Sequence, residues 1–176
     1  MKKSVLLLFF AGCVATGIFG IGRKIPMNRV NDLGQREGYW RDSVGGVFVY
    51  DLYYKGGKKD GLYKRFYRNK LFLFGEYTAD NISGTWYMFG DEGELRCTID
   101  SIELNKDSIY TGYCRIFCKY KCYCADYYPS GAVKSEGYMV CDEDFMVDFW
   151  EIGEWKYYDE SGNLIKTKDY GDRRTP

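Results

Sequence analysis

Aromatic and aliphatic residues recur in short segments between residues 34 and 171, and turn-forming residues separate these segments. Residues 61–71 show the order clearly: Gly61, aromatic residues at Tyr63 and Phe66, a turn containing Asn69, and then an aliphatic residue. This order is typical of a β-hairpin, in which a turn residue that accepts positive φ joins an aromatic strand to a returning strand. Three returning strands are predicted, at residues 71–77, 133–138 and 164–170.

The start of this hairpin unit repeats along the chain. Gly38, Gly61 and Gly84 lie 23 residues apart, and Gly153 lies three such steps further on. An aromatic residue follows two positions after each of these glycines. A fixed period of this length indicates an array of supersecondary units. The repeat aromatics are Trp40, Tyr63, Trp86 and Trp155.

Two stretches of these units carry a family resemblance. Residues 127–137, which begin Tyr-Tyr-Pro-Ser-Gly, and residues 153–164, which begin Gly-Glu-Trp-Lys-Tyr-Tyr, resemble the variant MORN repeat of bacterial proteins labelled YwqK-like antitoxins. The resemblance covers roughly residues 34–171. It implies an all-β fold, a meandering and largely single-layer antiparallel sheet of hairpin repeats, and it brings no catalytic residues with it.

The repeat aromatics have a structural interpretation in such a thin sheet. A single layer has no thick core, so cross-strand side-chain pairs must stabilise it, and aromatic pairs are among the stronger ones. Tyr and Trp suit a half-covered face because they bury a ring and keep a polar tip in water. We therefore predict that the four repeat aromatics form the core of the array. An exposed aromatic surface that binds glycan, peptide or lipid is the alternative.

Composition and charge agree with a folded β-protein and narrow the range of partners. The chain has 176 residues, of which 18 are Tyr, 11 Phe and 4 Trp, and β-strands favour such aromatic residues. Lysine plus arginine equals aspartate plus glutamate at 25 each. A protein that neutralises phosphates needs an excess of positive charge, so we expect no nucleic-acid partner.

The N-terminus has the layout of a secretory signal. Lys2 and Lys3 precede an apolar stretch at residues 5–10, and residues 10–13 (Phe-Ala-Gly-Cys) resemble a bacterial lipobox. The resemblance implies that Cys13 is the acylated first residue of the mature chain. A plain cleaved signal and a retained anchor at residues 5–21 remain alternatives. The chain is therefore predicted to be exported to the cell envelope and held at a bacterial membrane by a lipid.

The predicted organisation has four parts. Residues 1–21 form the signal peptide or anchor, and residues 22–33 form a short polar linker. Residues 34–171 form the repeats and residues 172–176 a tail.

Six cysteines remain when Cys13 is set aside, and an even number in an exported chain favours disulfides. If residues 114–124 form one strand, their four cysteines share a face, so disulfides must run to neighbouring strands. Free thiols are one alternative and a tetrahedral zinc site on these four is another. No pair shows the two-residue separation of a zinc knuckle, so no metal ligand is predicted. The candidate disulfide residues are Cys97, Cys114, Cys118, Cys122, Cys124 and Cys141.

The chain contains no histidine, which removes Ser-His-Asp and Cys-His nucleophilic sites. No phosphate-binding glycine loop is present either. We therefore predict no catalytic residues and no cofactor. The predicted function is that of a non-enzymatic, envelope-anchored β-repeat module for interaction with a protein or cell-wall partner. A periplasmic antitoxin-like protein that neutralises a toxin is the alternative, and an uncharacterised enzyme using a cysteine nucleophile is the third.

Overall fold

The computed structural model describes residues 26–106, 118–142 and 149–171. The predicted signal or anchor, with its lipobox and Cys13, lies outside the described residues. The same is true of Cys114 and of the predicted tail.

All regular structure in the described ranges is β-structure. Eleven strands form one antiparallel sheet in which the spatial order of the strands equals their order in the sequence. The predicted all-β, meandering, single-layer sheet of hairpins is therefore confirmed. In chain order the strands are β1 (Arg29–Val30), β2 (Arg36–Val44), β3 (Phe48–Lys55), β4 (Lys58–Tyr67), β5 (Lys70–Thr78), β6 (Asn81–Phe89), β7 (Leu95–Leu104), β8 (Tyr120–Tyr127), β9 (Val133–Cys141), β10 (Phe149–Tyr158) and β11 (Leu164–Asp169).

The predicted hairpins lie where the turn residues placed them. Strands β4 and β5 are joined at Arg68 and Asn69, which have φ values of 48° and 65°. The three predicted returning strands correspond to β5, β9 and β11. One boundary was wrong, because β1 lies within the predicted linker and pairs with the start of β2. The sheet therefore begins before residue 34.

All four repeat glycines lie inside strands, and three of them lie at irregularities of the ladder. The register shifts in β4 around Gly61, in β6 around Gly84 and in β10 around Gly153. Their φ values are 134°, 65° and 59°, in the region that favours glycine. A β-bulge increases local twist and redirects the side chains that follow it. The glycine therefore sets the direction of the aromatic residue two positions later.

The core lies on one face of the sheet, which we call the aromatic face. Trp86 is 1% exposed and Trp155 is 4% exposed, Tyr63 is buried beside them, and Trp40 packs against the same cluster while remaining half-buried. The ring centroids of Tyr63 and Trp86 lie 5.5 Å apart. Three of the four repeat aromatics thus lie in the buried cluster, and Trp40 lies at its edge.

Two glycines of the returning strands make room for these rings. Gly75 on β5 pairs with Tyr63 on β4, and a Cβ atom at Gly75 would overlap the ring of Trp86 on β6. A Cβ atom at Gly137 on β9 would lie 2.5 Å from ring atoms of Trp155 on β10. In both places an indole ring covers the backbone of the preceding strand.

The opposite face carries a smaller cluster. Cys118, Val140 and Ile152 are buried there, and Trp150 packs against them. The condition that one strand spans residues 114–124 is not met at Cys118, because β8 begins at Tyr120. Cys118 packs in the smaller cluster, whereas Cys122 and Cys124 lie in the cluster of the aromatic face.

Candidate functional site

The main depression of the molecule is a groove of about 520 Å³ on the aromatic face, formed by side chains from β5 to β10. A second depression of about 310 Å³ lies further towards β3 and includes Tyr63 and Trp86. In a one-layer sheet these depressions lie between side chains of neighbouring strands. We call the larger one the groove. Its lining residues are Phe72, Met88, Phe89, Arg96, Cys97, Ile99, Cys124, Asp126, Tyr127, Lys134, Ser135, Met139, Phe149, Glu151, Trp155 and Tyr157.

The floor and the rim of the groove differ in chemistry. Ile99, Met139 and Trp155 on the floor are each less than 5% exposed. Arg96 and Lys134 are exposed on the rim near Asp126 and Ser135, and Phe149, which is 45% exposed, lies at the other end of the groove, where β10 pairs with Cys141. Two carboxylates also line the groove, so its charges are mixed. Such a surface offers an apolar contact area together with hydrogen-bonding groups of both signs.

Trp155 is fixed on the groove floor by a hydrogen bond. Its Nε1–H donates to the backbone carbonyl of Tyr138 at 2.8 Å. Burial of a ring with its polar atom satisfied is the usual arrangement for tryptophan. The ring of Tyr170 lies edge-on to Trp155, with centroids 6.4 Å apart. The floor is therefore preformed.

Two pairs of cysteines lie in the cluster of the aromatic face. The Sγ atoms of Cys97 on β7 and Cys124 on β8 are 3.2 Å apart, and those of Cys122 on β8 and Cys141 on β9 are 3.6 Å apart. Both pairs are diagonal neighbours in the ladder rather than direct partners. All four cysteines are free thiols in the structure, so the disulfides stay a prediction.

The surroundings of Cys97 and Cys122 favour the protonated thiol. Hydrogen bonding to Cys124, together with burial, raises the pKa of Cys97 well above its usual value. Hydrogen bonding to Cys141, together with burial, does the same to the pKa of Cys122. The thiolate is the nucleophilic form of cysteine. In the folded state these two thiols are therefore poor nucleophiles at neutral pH.

A carboxylate group lies close to one of the two cysteine pairs. The two Sγ atoms of Cys97 and Cys124 and a carboxylate oxygen of Asp126 lie within 4.8 Å of one another. Ser135 Oγ donates a hydrogen bond to Asp126 Oδ2 at 3.0 Å. Two thiols and a carboxylate are groups that zinc accepts, and a tetrahedral ion would need one more ligand. This group of possible ligands differs from the four cysteines of residues 114–124 that the sequence suggested for zinc. One of those four, Cys118, lies on the opposite face of the sheet.

The predicted site residues are therefore distributed over the sheet. Trp155 lines the groove, and Tyr63 and Trp86 line the smaller depression. Trp40 lies on β2, where the guanidinium of Arg36 stacks 4.5 Å from its ring centroid. Sequence reasoning missed the rim and the role of Asp126. A signal for Asp126 was available, because it follows Cys124 by two residues on one strand and so shares its face.

Comparison of the chain with protein-family models, with curated proteins and with solved structures finds no match in any of the three. The MORN-like identity thus remains a prediction from the residues. Within the part of the chain that the structure describes, no helix has the length and hydrophobicity needed to cross a membrane.

Proposed function

We propose that the protein is a non-enzymatic, envelope-anchored β-repeat module that binds a protein or cell-wall partner in the groove of its aromatic face. The observation that carries this proposal is the groove itself, with its buried apolar floor and its exposed rim of mixed charge. Repeat sheets offer extended surfaces of this kind for binding. The anchoring part of the proposal rests on the N-terminal pattern and Cys13.

The chemistry of the groove supports binding rather than catalysis. The thiols of Cys97 and Cys122 are held in the protonated form, and the chain has no histidine to activate them. Nucleophilic catalysis by cysteine requires an adjacent base or a lowered pKa. The aromatic rim residue Phe149 and the neighbouring charges instead provide contacts of the kind found in recognition surfaces.

The test is capture of partners from native cell envelopes by the tagged full chain. Reversal of the rim charges in the double variant Arg96→Glu/Lys134→Glu is expected to reduce capture at least tenfold. The matched control is Lys55→Glu/Lys58→Glu, which makes the same change of charge at an exposed hairpin end outside both depressions. The control is expected to capture as much partner as the unaltered chain.

The nature of the partner is determined in the same preparation. Cosedimentation with purified cell-wall sacculi identifies a wall partner, and cross-linking followed by mass spectrometry identifies a protein. A captured protein that is toxic when produced alone, and harmless with this chain, supports the neutralising role instead. Equal capture by the rim variant and the control contradicts the assignment to the groove. Palmitate labelling that is absent from the parent chain, as well as from Cys13→Ser, contradicts the lipid anchor.

A further inference from the structure

The geometry points to two specific disulfides, Cys97–Cys124 and Cys122–Cys141, which we propose as the oxidised form of the protein. They link β7 to β8 and β8 to β9 on the aromatic face, and the first pair also lines the groove. Six candidate cysteines allow 15 pairings from sequence alone. The proposal rests on the export included in the proposed function, because disulfides persist in oxidising compartments. It does not depend on what the groove binds.

The positions of the sulfur atoms select these two pairs. Separations of 3.2 and 3.6 Å exceed the length of a disulfide bond, about 2.05 Å, by little more than an ångström. Rotation of the side chains and a small shift of the strands close such a gap, because each pair already shares the aromatic face.

The competing pairing within β8 is disfavoured. Cys122 and Cys124 occupy successive same-face positions of one strand, which lie about 6.8 Å apart with parallel Cβ directions. A disulfide needs side chains that converge, as those of the two proposed pairs do with their sulfur atoms 3.2 and 3.6 Å apart, whereas parallel side chains on one strand do not. Each cysteine of β8 therefore joins the strand on its own side, Cys124 towards β7 and Cys122 towards β9.

The oxidation is a thiol–disulfide exchange with an external disulfide, which is either a protein disulfide or oxidised glutathione. One cysteine attacks as a thiolate and forms a mixed disulfide, and its partner then displaces the external sulfur. Each new bond takes two electrons and two protons from the cysteine pair, and the external disulfide leaves as two thiols. Because the folded state favours protonated thiols, the exchange is expected to take place before the aromatic face closes.

The test begins with reduced, unfolded full chain that refolds in a buffer of reduced and oxidised glutathione. Tryptic digestion leaves Cys122 and Cys124 on one peptide, because no lysine or arginine lies between them. Additional cleavage after Tyr123 with a chymotrypsin-like protease separates them. Mass spectrometry without reductant is expected to find Cys97 linked to Cys124 and Cys122 linked to Cys141. Reductant should abolish both species.

Two variants serve as matched controls for each other. After denaturation without reductant, Cys97→Ser is expected to show Cys124 as an alkylated free thiol and to leave the Cys122–Cys141 species unchanged, and Cys141→Ser is expected to do the reverse. Different pairings, or alkylation of all four cysteines when the refolded parent is denatured without reductant, overturn the proposal. So does protection of Cys97 and Cys124 by bound zinc that a chelator removes. Cell fractionation tests export separately. If both disulfides form but the chain is found outside the envelope fraction, only the proposed location is contradicted.

Discussion

Substitution of Gly137 by alanine is expected to destabilise the protein through the ring of Trp155. Gly137 lies in β9 between Cys124 on β8 and the indole of Trp155 on β10. An added Cβ atom would lie 2.5, 2.5 and 2.6 Å from three ring atoms. Because carbon atoms normally approach to about 3.5–4.0 Å, the ring has to move by roughly 1 Å.

The magnitude follows from what that movement disturbs. Overpacking of a buried site typically destabilises by about 1–3 kcal/mol. Displacement of the ring also weakens the hydrogen bond from Trp155 to the carbonyl of Tyr138, which contributes about 0.5–1.5 kcal/mol. Replacement of a strand glycine by alanine offsets about 0.5–1 kcal/mol of this through backbone entropy. The expected net loss of unfolding free energy is about 2 kcal/mol.

Urea unfolding followed by far-ultraviolet circular dichroism measures this loss. The matched control is Gly90→Ala, since the atoms nearest to a Cβ atom there belong to the carboxylate end of Glu94, a flexible side chain that can move away. We expect the control to lose less than about 1 kcal/mol, because moving this carboxylate breaks one exposed hydrogen bond, that from the Glu92 amide. In a Trp155→Leu background the penalty of Gly137→Ala should shrink by more than half. A penalty equal to that of Gly90→Ala, or one unchanged by Trp155→Leu, would refute the close-contact explanation.

Three further predictions concern other parts of the sheet. Burial of Asp51 opposes its ionisation, but hydrogen bonds, led by the one from Arg41, outweigh burial and lower the pKa of Asp51. The denaturant midpoint of the protein should therefore fall as the pH drops below about 4. The fall should be smaller in Asp51→Asn. Burial, with a hydrogen bond to Glu136, raises the pKa of Tyr123 to about 12. The free energy of unfolding should therefore fall as the pH rises from about 10 to 12, and Tyr123→Phe should lessen that fall. The same pH dependence in Tyr123→Phe as in the parent would contradict the role given to Tyr123. Trp86→Ala should reduce unfolding free energy by about 3–5 kcal/mol, and a loss below 1 kcal/mol would exclude its central role in the core.

The hairpins were predictable because their signals are local. Asn69 marks a turn through its tolerance of positive φ, and the order of aromatic and aliphatic residues defines the strands on either side. Sheet order followed as well, since in a meander each strand pairs with its neighbours in sequence. The start of β8 was not predictable in the same way, because nothing local to Cys118 shows that the strand begins two residues later.

The groove was harder to predict because its residues come from six strands. Arg96 and Lys134 are ordinary charged residues in the sequence, and only the register of β7, β8 and β9 places them on one rim. The roles of Gly75 and Gly137 depend on an indole from another strand, which no pattern within a single strand reveals. The number of cysteines predicted cross-links but did not identify partners, because the register between β7, β8 and β9 decides which cysteines become diagonal neighbours.

The sequential strand order has a consequence for how such a chain changes over evolutionary time. Each strand packs mainly on the strands before and after it, so a whole 23-residue unit touches the remainder only at its two borders. Duplication or loss of one unit would leave every other border intact. Since the stabilising contacts lie close together in sequence, a lengthened array should also fold without a slow search for distant partners. The breadth of the aromatic face can therefore vary by units while the chemistry of each remaining unit is preserved.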